Sequence, residues 1–146
     1  MEQRHLILLV EDNPDDEALT LRAFKKNNIG NEIVVVRNGE EALDFLYARN
    51  RYASRDRHQL PLLILLDLKL PKIDGLEVLR HIRAHEDTRH TPVVVLTTSD
   101  EDRDLARSYD LGANSFVRKP VNFPEFMDSV KQISMYWLMV NQPPRG

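Results

Sequence analysis

The sequence predicts an α/β domain in which five short parallel strands alternate with five helices. Three observations carry that reading. Four runs, at residues 6–10, 33–36, 62–66 and 92–96, contain no charged or polar side chain and span only four or five residues each. Runs that short are strands rather than helices, and strands without polar alternation are buried on both faces, as in parallel sheets. Each run is followed by cap or turn residues and then by helical apolar spacing, the alternation that right-handed crossovers require. Finally, the strand exits carry the chemistry: Glu11-Asp12, Asp67, Thr97 and Lys119.

The first strand, Leu6-Ile7-Leu8-Leu9-Val10, stops on Glu11-Asp12. Asn13 then reads as an N-cap, Pro14 as the first helical residue, and Asp15 and Asp16 as acids on the positive end of the helix dipole. Ala18, Leu21, Ala23 and Phe24 form that helix's apolar face, and Asn28-Ile29-Gly30-Asn31 ends it. Ile33-Val34-Val35-Val36 is a β-branched strand, and Asn38-Gly39 turns it into a helix carrying Ala42, Leu43, Phe45 and Leu46. From Ala48 to Leu60 the chain is irregular, with Arg49, Arg51, Arg55 and Arg57 against Asp56 alone. A solvated loop is favoured there over a docking patch.

The central strand, Leu62-Leu63-Ile64-Leu65-Leu66, is entered through Pro61 and stops on Asp67. After a Pro-Lys-Ile-Asp-Gly turn at 71–75 comes a helix with Leu76, Val78, Leu79 and Ile82. Pro92-Val93-Val94-Val95-Leu96 ends on Thr97-Thr98-Ser99, and Asp100-Glu101-Asp102 opens the next helix. Leu111-Gly112-Ala113 closes it, Phe116-Val117 is a short fifth strand, and Lys119-Pro120 follows. The last helix runs from about Pro124 to about Val140. Both doubly wound strand orders accommodate five strands, and the pattern alone does not choose between them.

Composition narrows the function. A chain of 146 residues is one domain, 1–146, large enough to bury a real core. A formal charge of -3 and a pI near 5.9 argue against a protein that coats nucleic acid. The absence of cysteine excludes disulfides, thiolate catalysis and Cys-ligated zinc. No apolar run approaches the ~20 residues needed to cross a bilayer. The charged start Met1-Glu2-Gln3-Arg4-His5 leads straight into a strand with no secretory signal, so a cytoplasmic location is the expectation.

In a parallel sheet all carboxyl ends share one edge, where ligands gather. Asp67 alone reads equally well as a residue capping the next turn. The convergence of Glu11, Asp12 and Asp67 with Thr97 and Lys119 tips the reading towards a site. Clustered carboxylates repel and raise one another's pKa values unless a cation sits among them. Hard oxygens with neither His nor Cys suit Mg²⁺, with Mn²⁺ able to substitute. Asp67 is then a nucleophile able to take a phosphoryl group, with Lys119 and the metal meeting the developing charge.

These residues, with Leu-Leu-Asp-Leu-x-Leu-Pro-x-x-Asp-Gly around Asp67, Thr97 after Pro-Val-Val-Val-Leu, and Lys119-Pro120, resemble the receiver domain of two-component response regulators over about residues 6–135. The resemblance implies a flavodoxin-like sheet of order 2-1-3-4-5. It implies Asp67 as the phosphoacceptor and Asp12, Asp67 and the backbone carbonyl of Lys69 as metal ligands, with Glu11 as an outer acid supporting bound water. It further implies Thr97 as the switch hydroxyl, Lys119 as its ionic counterpart, a cis bond to Pro120, and Phe116 as the switch aromatic. Thr98 departs from the family's frequent small residue at that position and would narrow access to the phosphoryl group. The partner so implied is a sensor histidine kinase, with an unnamed downstream protein and neither nucleic acid nor membrane.

A narrower likeness is to the stand-alone regulators paired with cyanobacterial-type bacteriophytochromes. It rests on the 48–60 insertion, Leu-Thr-Thr-Ser at 96–99, Ser-Tyr-Asp-Leu at 108–111 and Trp137-Leu138. An Asp-nucleophile phosphatase is disfavoured because Lys69 stands where such enzymes place a second Asp. A degenerate receiver is disfavoured because every acid and the lysine are present. A dinucleotide fold lacks its Gly-x-Gly-x-x-Gly. Phe126, Val130, Ile133, Trp137 and Val140 form one core-facing stripe, whereas residues 135–140 are apolar all round. That end predicts a homodimer or kinase-docking face shared with the fourth helix and fifth strand, residues 136–146 forming a short extension.

Overall fold

The structure, a computed structural model, describes residues 6–98, 101–119 and 122–140. Strands β1 (Ile7–Val10), β2 (Ile33–Val36), β3 (Leu63–Leu66), β4 (Val93–Thr97) and β5 (Ser115–Arg118) form one parallel sheet in the order β2-β1-β3-β4-β5. Helices α1 (Pro14–Lys26), α2 (Gly39–Leu46), α3 (Gly75–Ala84), α4 (Asp102–Asp110) and α5 (Phe123–Ser134) alternate with them. The expected α/β architecture and strand order are those observed.

The period of two along each strand sorts the core into two layers. Leu8, Val10, Ile64, Leu66, Val93 and Val95 face α2 and α3, burying Leu43, Phe45, Val78, Leu79 and Ile82. Ile7, Leu9, Leu63, Leu65, Val94 and Leu96 face α1 and α5, burying Phe24, Phe126, Val130 and Ile133. The edge strand β2 is half-buried over most of its length, which the uniform apolar run did not reveal. Four helices begin under side-chain caps. Asn13 accepts from the amides of Asp15 and Asp16, and Asn38, Asp74 and Asn122 each accept from the amide of a Glu three residues on.

Several local expectations need correction. Ala18 is exposed, and Thr20 takes its place on the buried face of α1, satisfying its hydroxyl on the carbonyl of Asp16 at 2.8 Å. The 48–60 segment is largely exposed, as a solvated loop should be, but it carries local order. It contains a 3₁₀ turn at Asn50–Tyr52. Arg55 lies 3.9 Å over the Phe45 ring and donates to the carbonyls of Phe45 at 2.6 Å and Gln59 at 2.5 Å. Arg49, Arg51 and Arg57 pair with Asp44, Glu41 and Asp87, so these guanidiniums are already matched to acids.

After Ser134 the chain continues as a π-helix over Met135–Val140. The changed bonding period re-phases the side chains. Trp137 and Leu138 pack partly against the α1/α5 layer, while Met135, Tyr136 and Met139 are 50%, 50% and 79% exposed. The outward apolar patch is therefore formed by those three, and Trp137 belongs to the core edge. The expected cis bond to Pro120 lies outside the described residues.

Candidate functional site

Strand register aligns the chemistry. Val10 pairs with Leu66, so the next residues, Glu11 and Asp67, stand side by side, and Thr97 lies in register with Arg118, which precedes Lys119. Backbone bonds extend past the strands: the amides of Glu11, Asp67 and Lys119 donate to Val36, Val10 and Thr97. Gly75 closes the loop after β3, because any Cβ there would overlap the carbonyl of Asp67. Asp74-Gly75 thus couples a cap to a close approach.

Asp67 is the centre of the arrangement. Its Oδ1 accepts from the Thr97 hydroxyl at 2.9 Å and from the Lys69 amide at 3.2 Å, and its Oδ2 accepts from Lys119 Nζ at 3.0 Å. Lys119 also donates to Asp16 Oδ2 at 3.0 Å and, more closely, to Glu11. Glu11, Asp67, Thr97 and Lys119 are all buried, and Asp12 is exposed at the mouth. Lys69 and Thr98 point to solvent, and Phe116 lies half-buried against the α2/α3 layer.

The electrostatics follow from burial and neighbours. Desolvation pushes Glu11 up to about 7, outweighing the pull of the Lys119 ammonium, and the charge of Asp67 adds to the rise. Burial likewise works to raise Asp67, yet Lys119 and hydrogen bonds from Glu11 and the Lys69 amide prevail and hold it below the usual carboxylate range. Lys119 is disfavoured by burial but raised above its ordinary value by Glu11, Asp67 and Asp16. One buried ammonium among carboxylates is a cation-hungry arrangement. Carboxylate oxygens of Glu11, Asp12 and Asp67 lie within 4.8 Å of one another, and this all-oxygen donor set fits a hard divalent cation.

Glu11, Asp67, Thr97 and Lys119, chosen as strand-end residues, therefore do meet, with Asp12 beside them. Asp16 is the residue that strand-end reasoning missed. Its signal was its place in the first turn of α1, which opens directly beyond the Glu11-Asp12 strand end.

Comparison with known proteins agrees with this geometry. The model of the response regulator receiver domain matches residues 7–131. The probable methanogenesis regulatory protein FilR2 of Methanothrix harundinacea is 43% identical over 143 residues, covering 98% of this chain and 90% of its own. The structure of the bacteriophytochrome response regulator AtBRR is 49% identical with a TM-score of 0.77, over 97% of this chain and all (100%) of that one. The Mn(2+)-bound form of response regulator Rcp1, a protein of Synechocystis sp., is 38% identical with a TM-score of 0.88, over 97% and 99% of the two chains. With the match spanning both the fold and every strand end that carries the chemistry, the chain belongs to the response regulator receiver domain family.

Proposed function

We propose that this chain is a stand-alone receiver that takes a phosphoryl group from the phosphohistidine of a sensor histidine kinase onto Asp67 and signals by conformational change and protein contact. The observation that carries the reading is Asp67 itself, a buried carboxylate held by a hydroxyl at the end of β4 and an ammonium just past β5. Its lowered pKa keeps it ionised and nucleophilic at neutral pH. In the transfer, an Asp67 oxygen bonds phosphorus as the donor's bond to phosphorus breaks. Negative charge then moves from the carboxylate to the phosphoryl oxygens, where the Lys119 ammonium balances it. The Thr97 hydroxyl, already on Asp67, turns towards the phosphoryl group, and the Phe116 ring on β5 follows as the switch aromatic.

Mg²⁺, or Mn²⁺ in its stead, would be held by Asp12, Asp67 and the Lys69 carbonyl with Glu11 supporting a bound water, and supplies positive charge for the developing phosphoryl charge. A phytochrome as the sensor kinase is supported by the likeness to AtBRR and by the 48–60 insertion. Homodimerisation is supported by the exposed Met135, Tyr136 and Met139, together with Leu105 and Tyr109 of α4. The protein acts as a phosphoacceptor that catalyses its own phosphorylation and hydrolysis rather than as an enzyme on a separate substrate. Incubation with acetyl phosphate and Mg²⁺ tests the assignment. Base-labile labelling is expected, and it should vanish in Asp67→Asn and with EDTA; labelling of Asp67→Asn equal to wild type refutes it.

A further inference from the structure

We propose that Asp16 is a positioning residue that holds the Lys119 ammonium within reach of the transferring phosphoryl group. The proposal rests on the reading of Asp67 as phosphoacceptor. An ammonium has three N–H donors, and here Glu11, Asp16 and Asp67 take one each. The Lys119 side chain is 3% exposed, and Asp16, at 27%, is the outermost of its three carboxylate partners.

The three acceptors differ in what the reaction asks of them. At Asp67 a new O–P bond forms while the donor's O–P bond breaks and its acetate leaves as the anion, when acetyl phosphate is the donor. The electrons that the ammonium faced on the carboxylate are then shared with phosphorus, and the charge sits on the phosphoryl oxygens. The N–H aimed at Asp67 must follow that charge. Glu11 faces the cation-binding cluster as well as the lysine. Of the three, Asp16 bonds Lys119 and, among the described residues, lies outside the Glu11-Asp12-Asp67 cluster.

Its mounting suits an anchor. Asp16 stands in the first turn of α1, its amide capped by Asn13 at 3.1 Å and its carbonyl bonded by Thr20. Helix α1 is in turn fixed to α5, through Asn27 donating to the Met127 carbonyl at 3.2 Å and Arg22 lying 4.5 Å over the Phe123 ring. The carboxylate is thereby referenced to the helix that follows the Lys119 segment. Two donors stay fixed while the third moves, which keeps the ammonium near its transition-state position without a new search.

The test is the initial rate of phosphorylation by acetyl phosphate at saturating Mg²⁺, against donor concentration. Asp16→Asn should lower the maximal rate about five- to tenfold with the half-saturating donor concentration unchanged, the mark of an interaction needed in the transition state. Asp16→Glu keeps a carboxylate and should recover to within about twofold of wild type. In a Lys119→Ala background, Asp16→Asn should add no further loss, because its partner is gone. A wild-type rate or a faster one in Asp16→Asn overturns the proposal. So does an equal loss with and without Lys119, or an Asp16→Glu protein as slow as Asp16→Asn, since either marks a structural role. Asp67→Asn run alongside separates the two claims: if it labels like wild type, the phosphoacceptor reading fails and takes this one with it.

Discussion

At Glu11, burial beside Asp67 pushes the carboxyl up to about 7, against an ordinary value of 4.5, in spite of the neighbouring Lys119. A pKa raised in the folded state means that the folded protein holds a proton the unfolded chain has lost. The stability so contributed is full below 4.5 and disappears as pH rises through about 7. Asp67 is lowered and works the other way, its contribution present above the ordinary 3.8 and lost as pH falls through its folded value. On the reading of Glu11 as the acid supporting the metal's bound water, its protonation opposes metal binding, so affinity should strengthen about fivefold from pH 6 to 7 and level off above it. Calorimetric titration with Mg²⁺ between pH 6 and 8 checks this, with Glu11→Gln expected to flatten the profile; a flat wild-type profile is the contrary result. Strand-end position foretold that Glu11 would meet Lys119 and Asp67. It said nothing of Asp16, because an acid in a first helical turn is already explained by the helix dipole.

Among the elements, the caps were more readable than the loops. Asn38-x-x-Glu41, Asp74-x-x-Glu77 and Asn122-x-x-Glu125 repeat one starting signature, and each Asx side chain accepts from the Glu amide. Composition read the 48–60 segment rightly as solvated, but not the seating of Arg55, because an arginine's worth depends on what it stacks on. The aromatic anchor of Arg55, Phe45, sits on α2, and Tyr52 packs edge-on against the same ring at 5.1 Å. The end of α5 was half legible. An all-apolar hexapeptide signalled a surface in excess of the core's needs, but the π-helical turn decides which side chains face out. Tyr136→Glu and Met139→Glu, at exposed positions, should weaken self-association at least about tenfold while leaving the melting temperature nearly unchanged. Sedimentation velocity across protein concentration measures it. A wild type that stays monomeric at every concentration, phosphorylated or not, removes the dimer.

For the whole molecule, the fold class was open to reading because β1, β3 and β4 are buried on both faces and spell it in apolar runs. Strand order was not, since hydrophobicity records burial and not neighbours; the family resemblance supplied it. Also invisible was the fastening of the sheet's opposite rim, which depends on residues far apart in sequence. There Arg83, from the last turn of α3, donates to the carbonyls of Gly112 at 2.8 Å, Arg89 at 3.1 Å and Thr91 at 2.7 Å, and to Asn114 Oδ1 at 2.8 Å. Burial lowers its pKa, but a guanidinium remains charged. Asn114 carries the tie onward to the Val93 amide, and Gly112, at φ 97, is the turn that Arg83 closes over. Arg83→Met would strand several acceptors and should cost about 2–4 kcal/mol of unfolding free energy, read by urea denaturation. A loss under about 0.5 kcal/mol, the scale of an ordinary surface change, would mean that water replaces the guanidinium at no penalty.

The Arg83 clasp has a mechanical meaning. It binds the loops entering β4 and β5 to the tail of α3 at one rim, while Thr97 and Lys119 leave those strands at the other. A ribbon pinned at one end answers a pull at the other by swinging, so displacement grows with distance from the pin. On the reading of Asp67 as phosphoacceptor, any shift of Thr97 and Lys119 should therefore be written large along the loops at the site rim and hardly at all beside Arg83. A reporter dye at the pinned end would stay dark to the event, and the same dye beyond β4 would register it.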